Sequence, residues 1–197
     1  MKVFVEDPLL EFESALDKAL NAGVKEAHAM ALASVDPQGN PSVRIVYYKG
    51  IVRGGLSFYT NYQGKKSQDF QTNPSASVNF FWPELFQQVR LQGTVDKLDQ
   101  KESEAYFRTR PRMSQIGAWA SRQSEEIPNH EALLKKFKDL EEKFENKEVP
   151  CPPYWGGFRL VPLEIEFWMG REGRLHERYV YKRSSPDKAW RTFMRSP

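Results

Sequence analysis

Apolar residues recur every three or four positions in two stretches of the chain, which predicts two amphipathic helices. The first covers residues 6–23, where Asp7 can act as the N-cap, Pro8 suits the first turn and Gly23 can end the helix. Its apolar stripe consists of Leu9, Phe12, Leu16, Ala19 and Leu20. The second covers residues 129–146, and its stripe consists of Leu133, Leu134, Phe137, Leu140 and Phe144.

Between these helices the pattern changes to the short period of β-strands. Apolar or alternating segments occupy residues 27–35, 41–48, 55–61, 76–82 and 88–98, separated by turn-rich sequence. Residues 99–110 predict a helix with Asp99 and Glu102 at capping-box spacing, ended by Pro111. Residues 155–170 and 173–183 predict a final hairpin, and the C-terminal hairpin region, residues 158–197, carries the sequence RLHER. The pattern predicts one α+β domain over residues 1–197, an antiparallel sheet closed into a barrel with flanking helices.

Arg174, His176 and Arg178 are spaced two apart in the sequence GRLHERYVY. In an extended strand such residues point to the same face. We therefore expect two guanidinium groups and an imidazole on one surface, where an anionic or aromatic partner would offset their repulsion.

Composition narrows the class of protein further. Of the 197 residues 28% are charged, and Lys and Arg exceed Asp and Glu by only three, too small an excess to indicate nucleic-acid binding. Cys151 is the single cysteine, which rules out an intrachain disulfide. No apolar run approaches the roughly 20 residues of a membrane span, and the start of the chain is unlike a signal peptide. We expect a soluble, cytoplasmic protein that binds neither nucleic acid nor a membrane.

A few segments carry chemistry-bearing side chains, each with a simpler structural alternative. The GKKS segment, residues 64–67, can present Lys65, Lys66 and backbone amides to a phosphate at a helix start, or can be a solvated basic turn. Tyr106 and Arg110 lie on one helix face shortly before Ser114 and could hold a phosphate, although an ordinary helix-end arginine explains the spacing equally well.

Charge also interrupts an apolar strand, since Arg44 shares a face with Val46 and Tyr48. His28 and His130 have no ligand partner at metal-binding spacing, so no metal site is predicted. The sequence also contains no GxSxG nucleophile motif.

Seven blocks in order give the chain a clear family resemblance. The segment EFWMGREGRLHER, residues 166–178, resembles the C-terminal signature of pyridoxine (pyridoxamine) 5′-phosphate oxidases. The other blocks are RIVYYK (44–49), FYTN (58–61), GKKS (64–67), YFRTRPRMSQIGAWAS (106–121), RQS (122–124) and WGGFR (155–159). The resemblance implies a split β-barrel homodimer with FMN at the subunit interface.

The resemblance also implies a set of site residues, some of them supplied by the partner chain. The residues expected to bind FMN are Arg44, Ile45, Val46, Tyr47, Tyr48, Lys49, Tyr59, Thr60, Lys65, Lys66, Gln88, Gln123, Ser124, Trp168 and Arg178. Those expected to bind the phosphorylated substrate are Lys49, Tyr106, Arg110, Ser114, Arg174, Leu175 and His176. Arg174 and His176 would act in catalysis, by orienting the substrate and by electrostatics.

The implied reaction is oxidation of pyridoxine or pyridoxamine 5′-phosphate to pyridoxal 5′-phosphate, with FMN as the redox group and dioxygen reduced to hydrogen peroxide. Three alternatives remain: a related flavin oxidase of the phenazine-biosynthesis type, a non-catalytic carrier of FMN or pyridoxal phosphate, and a basic nucleic-acid-binding barrel. The chain departs from the family pattern at Gln87, at Met169 and in the C-terminal AWRTFMRSP, where Arg195 is displaced by one position.

Overall fold

A computed structural model describes residues 4–197, so the first three residues of the predicted domain lie outside the described range. Its helices are α1 (Pro8–Asn21), α2 (Lys65–Thr72), α3 (Gln100–Thr109), α4 (Arg112–Ala120) and α5 (His130–Lys143). Its strands are β1 (Ala29–Val35), β2 (Pro41–Tyr47), β3 (Ile51–Val52), β4 (Gly55–Asn61), β5 (Ser75–Trp82), β6 (Gln87–Lys97), β7 (Trp155–Met169), β8 (Glu177–Lys182) and β9 (Arg191–Met194). No helix in this part of the chain is both long and apolar enough to cross a membrane.

The strands form one antiparallel sheet in the order β2-β1-β5-β6-β7-β4-β3, and β8 and β9 extend it from β7. The long strand β7 pairs with β6 along most of its length, with β4 through its first half and with β8 through its second half. Strand β2 packs against β4, so the sheet curls into a barrel. A bulge at Gln92/Gly93 bends β6, and a Cβ at Gly93 would overlap the Val161 carbonyl.

Two hydrophobic clusters hold the fold together. The larger fills the barrel and includes one face of α1, where the Phe12 ring meets Tyr48 edge-on with centroids 5.2 Å apart. The smaller joins the helices α3 to α5 to the start of β7 through Phe107, Ile116, Phe144, Val149 and Trp155. The second cluster therefore places the α3–α4 connection beside β4 and β7.

Most of the predicted elements are confirmed, with boundaries that differ by a few residues. The Asp7 side chain accepts a hydrogen bond from the Leu9 amide at 2.9 Å, and Asp99 and Glu102 form the expected capping box. The pattern did not predict α4, β3 or β9. Each is short or lacks a complete apolar period, so it depends on tertiary packing.

The expectation that Arg174, His176 and Arg178 share one strand face is wrong, because β8 begins only at Glu177. Gly173 and Arg174 both have φ of 61°, a left-handed conformation that breaks the extended backbone. His176 Nδ1 accepts a hydrogen bond from the Arg171 amide at 3.1 Å, which closes the turn. Only Arg178 of the three lies in a strand.

Candidate functional site

An open cavity of about 640 Å³ lies where β2, β4 and the α3–α4 connection meet. The barrel closure brings β2 next to β4, and the smaller hydrophobic cluster holds the end of α3 against β4 and the start of β7. The cavity is lined by Arg44, Ile45, Val46, Tyr47, Lys49, Tyr59, Thr60, Lys66, Tyr106, Thr109, Arg110, Pro111, Ser114, Gln123 and Trp155.

All the charged side chains that line this cavity are positive. Four of its lining side chains are cationic and none carries a carboxylate; the cations are Arg44, Lys49, Lys66 and Arg110. Like charges held close together in a partly buried cavity raise the free energy of the empty protein, and a bound anion would lower it. The arrangement is therefore suited to a ligand with negative charge, and we refer to it as the cationic cavity.

At one end of the cationic cavity Arg44 is held by a hydrogen-bond relay. Arg44 Nη1 donates to the Leu32 carbonyl at 3.1 Å and to Ser34 Oγ at 2.8 Å. Ser34 Oγ in turn donates to Asp69 Oδ2 at 2.6 Å, and both Ser34 and Asp69 are buried. Burial lowers the pKa of Arg44, with the Asp69 charge acting in the opposite direction. The relay keeps the guanidinium oriented without placing a carboxylate in the cavity wall.

Beside Arg44 lies Lys66, in the first turn of α2 and only 6% exposed. Its Nζ donates to Thr60 Oγ1 at 2.8 Å and to Gln123 Oε1 at 2.6 Å, both neutral acceptors. Burial and the nearby Arg44 charge lower the pKa of Lys66 from its ordinary value of 10.5 to about 8. A lysine at a helix start with a depressed pKa and neutral partners is typical of a binding site for an anion.

At the other end of the cationic cavity Arg110 lies over the Trp155 ring, with Cζ 4.6 Å from the ring centroid. Its Nη1 is buried and has no hydrogen-bond partner among residues 4–197. Burial lowers the pKa of Arg110. A buried N–H of this kind is costly unless a ligand accepts from it, so Arg110 indicates a second position for an anionic group.

Aromatic rings form a wall between β4 and α3. Tyr59 and Tyr106 are stacked with centroids 3.8 Å apart, and Trp155 lies nearly parallel to both at 5.6 and 6.3 Å. Cations at two ends and an aromatic wall fit planar molecules that carry phosphate groups. The cavity is therefore suited to planar ligands that carry phosphate groups.

The structure brings most of the expected site residues to the cationic cavity. Those that line it are Arg44, Ile45, Val46, Tyr47, Lys49, Tyr59, Thr60, Lys66, Tyr106, Arg110, Ser114 and Gln123. Thr109, Pro111 and Trp155 line it as well and were not expected as site residues. The motif blocks YFRTRPRMSQIGAWAS and WGGFR contain all three, so their position in those blocks was the available signal.

Three expected residues lie near the cavity without lining it. Tyr48 is buried in the barrel, with its hydroxyl 3.3 Å from a Glu13 carboxylate oxygen. Lys65 Nζ pairs with Asp69 at 2.6 Å rather than pointing into the cavity. Ser124 Oγ accepts from the Lys65 amide at 3.2 Å, so Ser124 holds the start of α2.

The remaining expected residues form a second group on the extension of the sheet; they are Gln88, Trp168, Arg174, Leu175, His176 and Arg178. Trp168 is the register partner of both Gln88 and Arg178, so the three side chains lie in a row across β6, β7 and β8. The His176 and Trp168 rings are 4.6 Å apart. Arg174 and Leu175 are exposed. None of this C-terminal group lines the cationic cavity of the same chain.

Comparison with known proteins gives matches over nearly the whole chain. The family model described as pyridoxamine 5′-phosphate oxidase matches residues 16–144, and that described as pyridoxine 5′-phosphate oxidase C-terminal dimerisation region matches residues 155–197. A pyridoxine/pyridoxamine 5′-phosphate oxidase of Bdellovibrio bacteriovorus is 49% identical over 98% of this chain and 97% of the relative. The protein of that name from Coxiella burnetii is 45% identical over the same shares.

Two solved structures are similar as well. PhzG from Burkholderia lata, solved in complex with tetrahydrophenazine-1-carboxylic acid, has a TM-score of 0.92 and 30% identity over 98% of this chain and 94% of its own. A pyridoxamine 5′-phosphate oxidase-related, FMN binding protein from Nostoc punctiforme has a TM-score of 0.75 and 19% identity over the full length of both chains. At that identity the second likeness shows the fold alone, which is the flavin-binding split barrel.

Proposed function

The chain belongs to the pyridoxamine 5′-phosphate oxidase family, and we propose that it uses FMN to oxidise pyridoxine or pyridoxamine 5′-phosphate to pyridoxal 5′-phosphate, reducing dioxygen to hydrogen peroxide. The observation that carries this proposal is the cationic cavity, which has four cationic side chains, no carboxylate and an aromatic wall. Its two cationic ends match the two phosphate groups that the cofactor and the substrate would bring.

We assign the two ends by their contacts. Arg44 on β2 and Lys66 at the start of α2 would bind the FMN phosphate and ribityl chain, together with Thr60 and Gln123, which accept from Lys66. Arg110 would bind the substrate phosphate together with Tyr106, Ser114 and Lys49, because its buried Nη1 has no hydrogen-bond partner in the part of the chain that the structure describes. Anchoring a remote phosphate supplies binding energy that positions the reacting carbon.

A second copy of the chain would complete the site. The C-terminal group of Gln88, Trp168, Arg174, Leu175, His176 and Arg178 lies outside the cavity of its own chain, and residues 155–197 match a dimerisation region. Strand β2 also exposes an apolar row beside the cavity, with Val43 66% and Ile45 62% exposed. Apolar rows of this kind are typical of protein interfaces. We propose that a homodimer covers this row, with each chain acting as one domain that lends its C-terminal group to the partner's cavity.

When bound, FMN supplies the redox chemistry by accepting a hydride equivalent and passing electrons to dioxygen. The residues of the chain would bind the cofactor and the substrate, orient them and shield them from water. Arg174 and His176 would face the pyridine ring from the partner chain and hold the substrate against the cofactor, while the wall formed by Tyr59, Tyr106 and Trp155 excludes water from one side.

Oxygen uptake is the direct test of this function. Purified protein reconstituted with FMN should consume oxygen and form hydrogen peroxide with pyridoxamine or pyridoxine 5′-phosphate. The unphosphorylated vitamers should react far more weakly, because they cannot use Arg110. Binding of FMN without peroxide formation from either phosphate ester would refute the oxidase proposal and favour a carrier.

The similarity to PhzG supports one alternative substrate class, namely a reduced phenazine carboxylic acid. Its carboxylate could pair with the same cationic end, and its fused rings could stack on the same aromatic wall. The higher identity to pyridoxine/pyridoxamine 5′-phosphate oxidases, 45–49% against 30%, favours the phosphorylated pyridine. Faster oxygen uptake with tetrahydrophenazine-1-carboxylic acid than with pyridoxamine 5′-phosphate would reverse this preference.

A further inference from the structure

Glu166 is a buried carboxylate on β7 that contacts three guanidinium groups. It is 2% exposed, and both of its oxygens accept from Arg178 Nη2, at 3.0 and 2.8 Å. Arg195 Nη1 donates to it at 2.8 Å and Arg90 Nη2 at 3.3 Å. The Glu166 carboxylate is therefore shared by three guanidinium groups, of which Arg195 also pairs with Glu164 at 3.0 Å; we call the three the C-terminal arginine cluster (Arg90, Arg178, Arg195).

The C-terminal residues 195 and 196 also form hydrogen bonds with Arg178. Arg178 Nη1 donates to the Ser196 carbonyl at 2.9 Å, and the Arg195 amide donates to the Arg178 carbonyl at 2.9 Å. The backbone bond brings the Arg195 guanidinium to Glu166 as well. Arg178 Nε also donates to Glu166, at 3.2 Å, so four hydrogen bonds set the orientation of the Arg178 guanidinium.

The position of Glu166 connects this cluster to the proposed cofactor site. Glu166 lies two residues before Trp168 on β7, on the same face of the sheet, and Arg178 is the register partner of Trp168. Without the carboxylate, the three guanidinium groups would repel one another and separate. The Arg178 guanidinium would then no longer be held in a fixed position beside Trp168 and Gln88.

We propose that Glu166 is the positioning residue for Arg178: it fixes the Arg178 guanidinium, with the backbone of residues 195–196 as the second support, so that Arg178 contacts the flavin. This inference rests on the proposed function. Glu166 is buried and its carboxylate is bonded to Arg178, so its effect on FMN binding would be transmitted through Arg178.

The test compares Glu166→Gln with Glu164→Gln by titrating the homodimeric apoprotein with FMN and following the quenching of flavin fluorescence. Glu164 is a matched control on the same strand face, since it pairs with Lys182 and Arg195 but not with Arg178. We expect Glu166→Gln to weaken FMN binding about tenfold or more, equivalent to about 1.4 kcal/mol, and the control to change it less than about threefold. Equal effects of the two substitutions would overturn the inference.

A double-mutant cycle with Arg178→Gln separates positioning from general destabilisation. If Glu166 acts through Arg178, then Glu166→Gln should add little once Arg178 is replaced, whereas a purely structural role would give additive losses. Additive losses of FMN affinity would therefore contradict the proposal. Failure of the wild-type apoprotein to bind FMN would contradict the proposed function instead, so the two failures are distinguishable.

The thermal midpoint of each variant is measured alongside, because removing one charge from a buried cluster can destabilise the fold. If Glu166→Gln does not fold, Glu166→Asp decides, since it keeps the charge but shortens the side chain by one methylene and withdraws it from Arg178. FMN affinity within about twofold of wild type for Glu166→Asp would overturn the proposal.

Discussion

Lys66 makes FMN binding depend on pH in a way that can be worked out from its surroundings. Its Nζ donates to the neutral acceptors Thr60 and Gln123, and burial together with Arg44 lowers its pKa from 10.5 to about 8. Lys66 is therefore about nine-tenths protonated at pH 7 and about one-tenth protonated at pH 9 in the empty cavity. The phosphate of FMN is a dianion throughout this range, since its second pKa is about 6.

A bound phosphate favours the charged form of Lys66, so binding above pH 8 must take up a proton. The expected result is that the dissociation constant for FMN rises about tenfold between pH 7 and pH 9, the ratio of the two protonated fractions. Fluorescence titration of apoprotein at several pH values measures this change directly. A guanidinium stays charged over this range, so Lys66→Arg should show a nearly flat profile and is the matched control.

The same pKa shift predicts that the folding stability of the apoprotein rises with pH while its affinity for FMN falls, which gives an independent check. The pKa of Lys66 is lower in the folded apoprotein than in the unfolded chain, so its charge opposes folding fully below pH 8 and this cost disappears between about 8 and 10.5. The cost is on the order of 2 kcal/mol after allowance for solvent screening. Relative to Lys66→Arg, wild-type apoprotein should become more stable to urea as the pH rises through this window. A flat binding profile for wild type, or the same slope in Lys66→Arg, would refute this reasoning.

Three other substitutions test separate parts of the molecule. Arg110→Gln should raise the KM for the phosphorylated substrate by about tenfold to a hundredfold and leave FMN affinity unchanged, because it removes a charged hydrogen bond worth about 1.5–3 kcal/mol. An unchanged KM in steady-state kinetics would contradict the assignment of Arg110 to the substrate phosphate. Arg174→Ala should lower turnover or raise KM with FMN still bound, and unaltered kinetics would remove Arg174 from the substrate site. Gly170→Ala should destabilise the fold by about 1–3 kcal/mol in urea denaturation, because a Cβ there would overlap the Phe86 ring; full stability would show that the turn has room.

Much of the site could be predicted because the motif blocks carry their residues in a readable order. Arg44, Lys66 and Arg110 stand in three separate blocks, and all three line one cavity. The side-chain direction of Lys65 could not be predicted, since it depends on Asp69 one turn later in α2. The strand assigned to Arg174 and His176 was wrong because alternation alone does not reveal a left-handed backbone at Gly173.

The order of residues along the chain was enough to specify the helix caps, the alternation of most strands and the family, since these depend on local spacing and residue type. Tertiary structure alone decided which side chains became buried together. The depressed pKa of Lys66, the burial of Arg110 Nη1 and the three arginines around Glu166 all arise where separate helices and strands pack together. Desolvation and electrostatic interaction depend on distances in space, and these exist only once the barrel has closed.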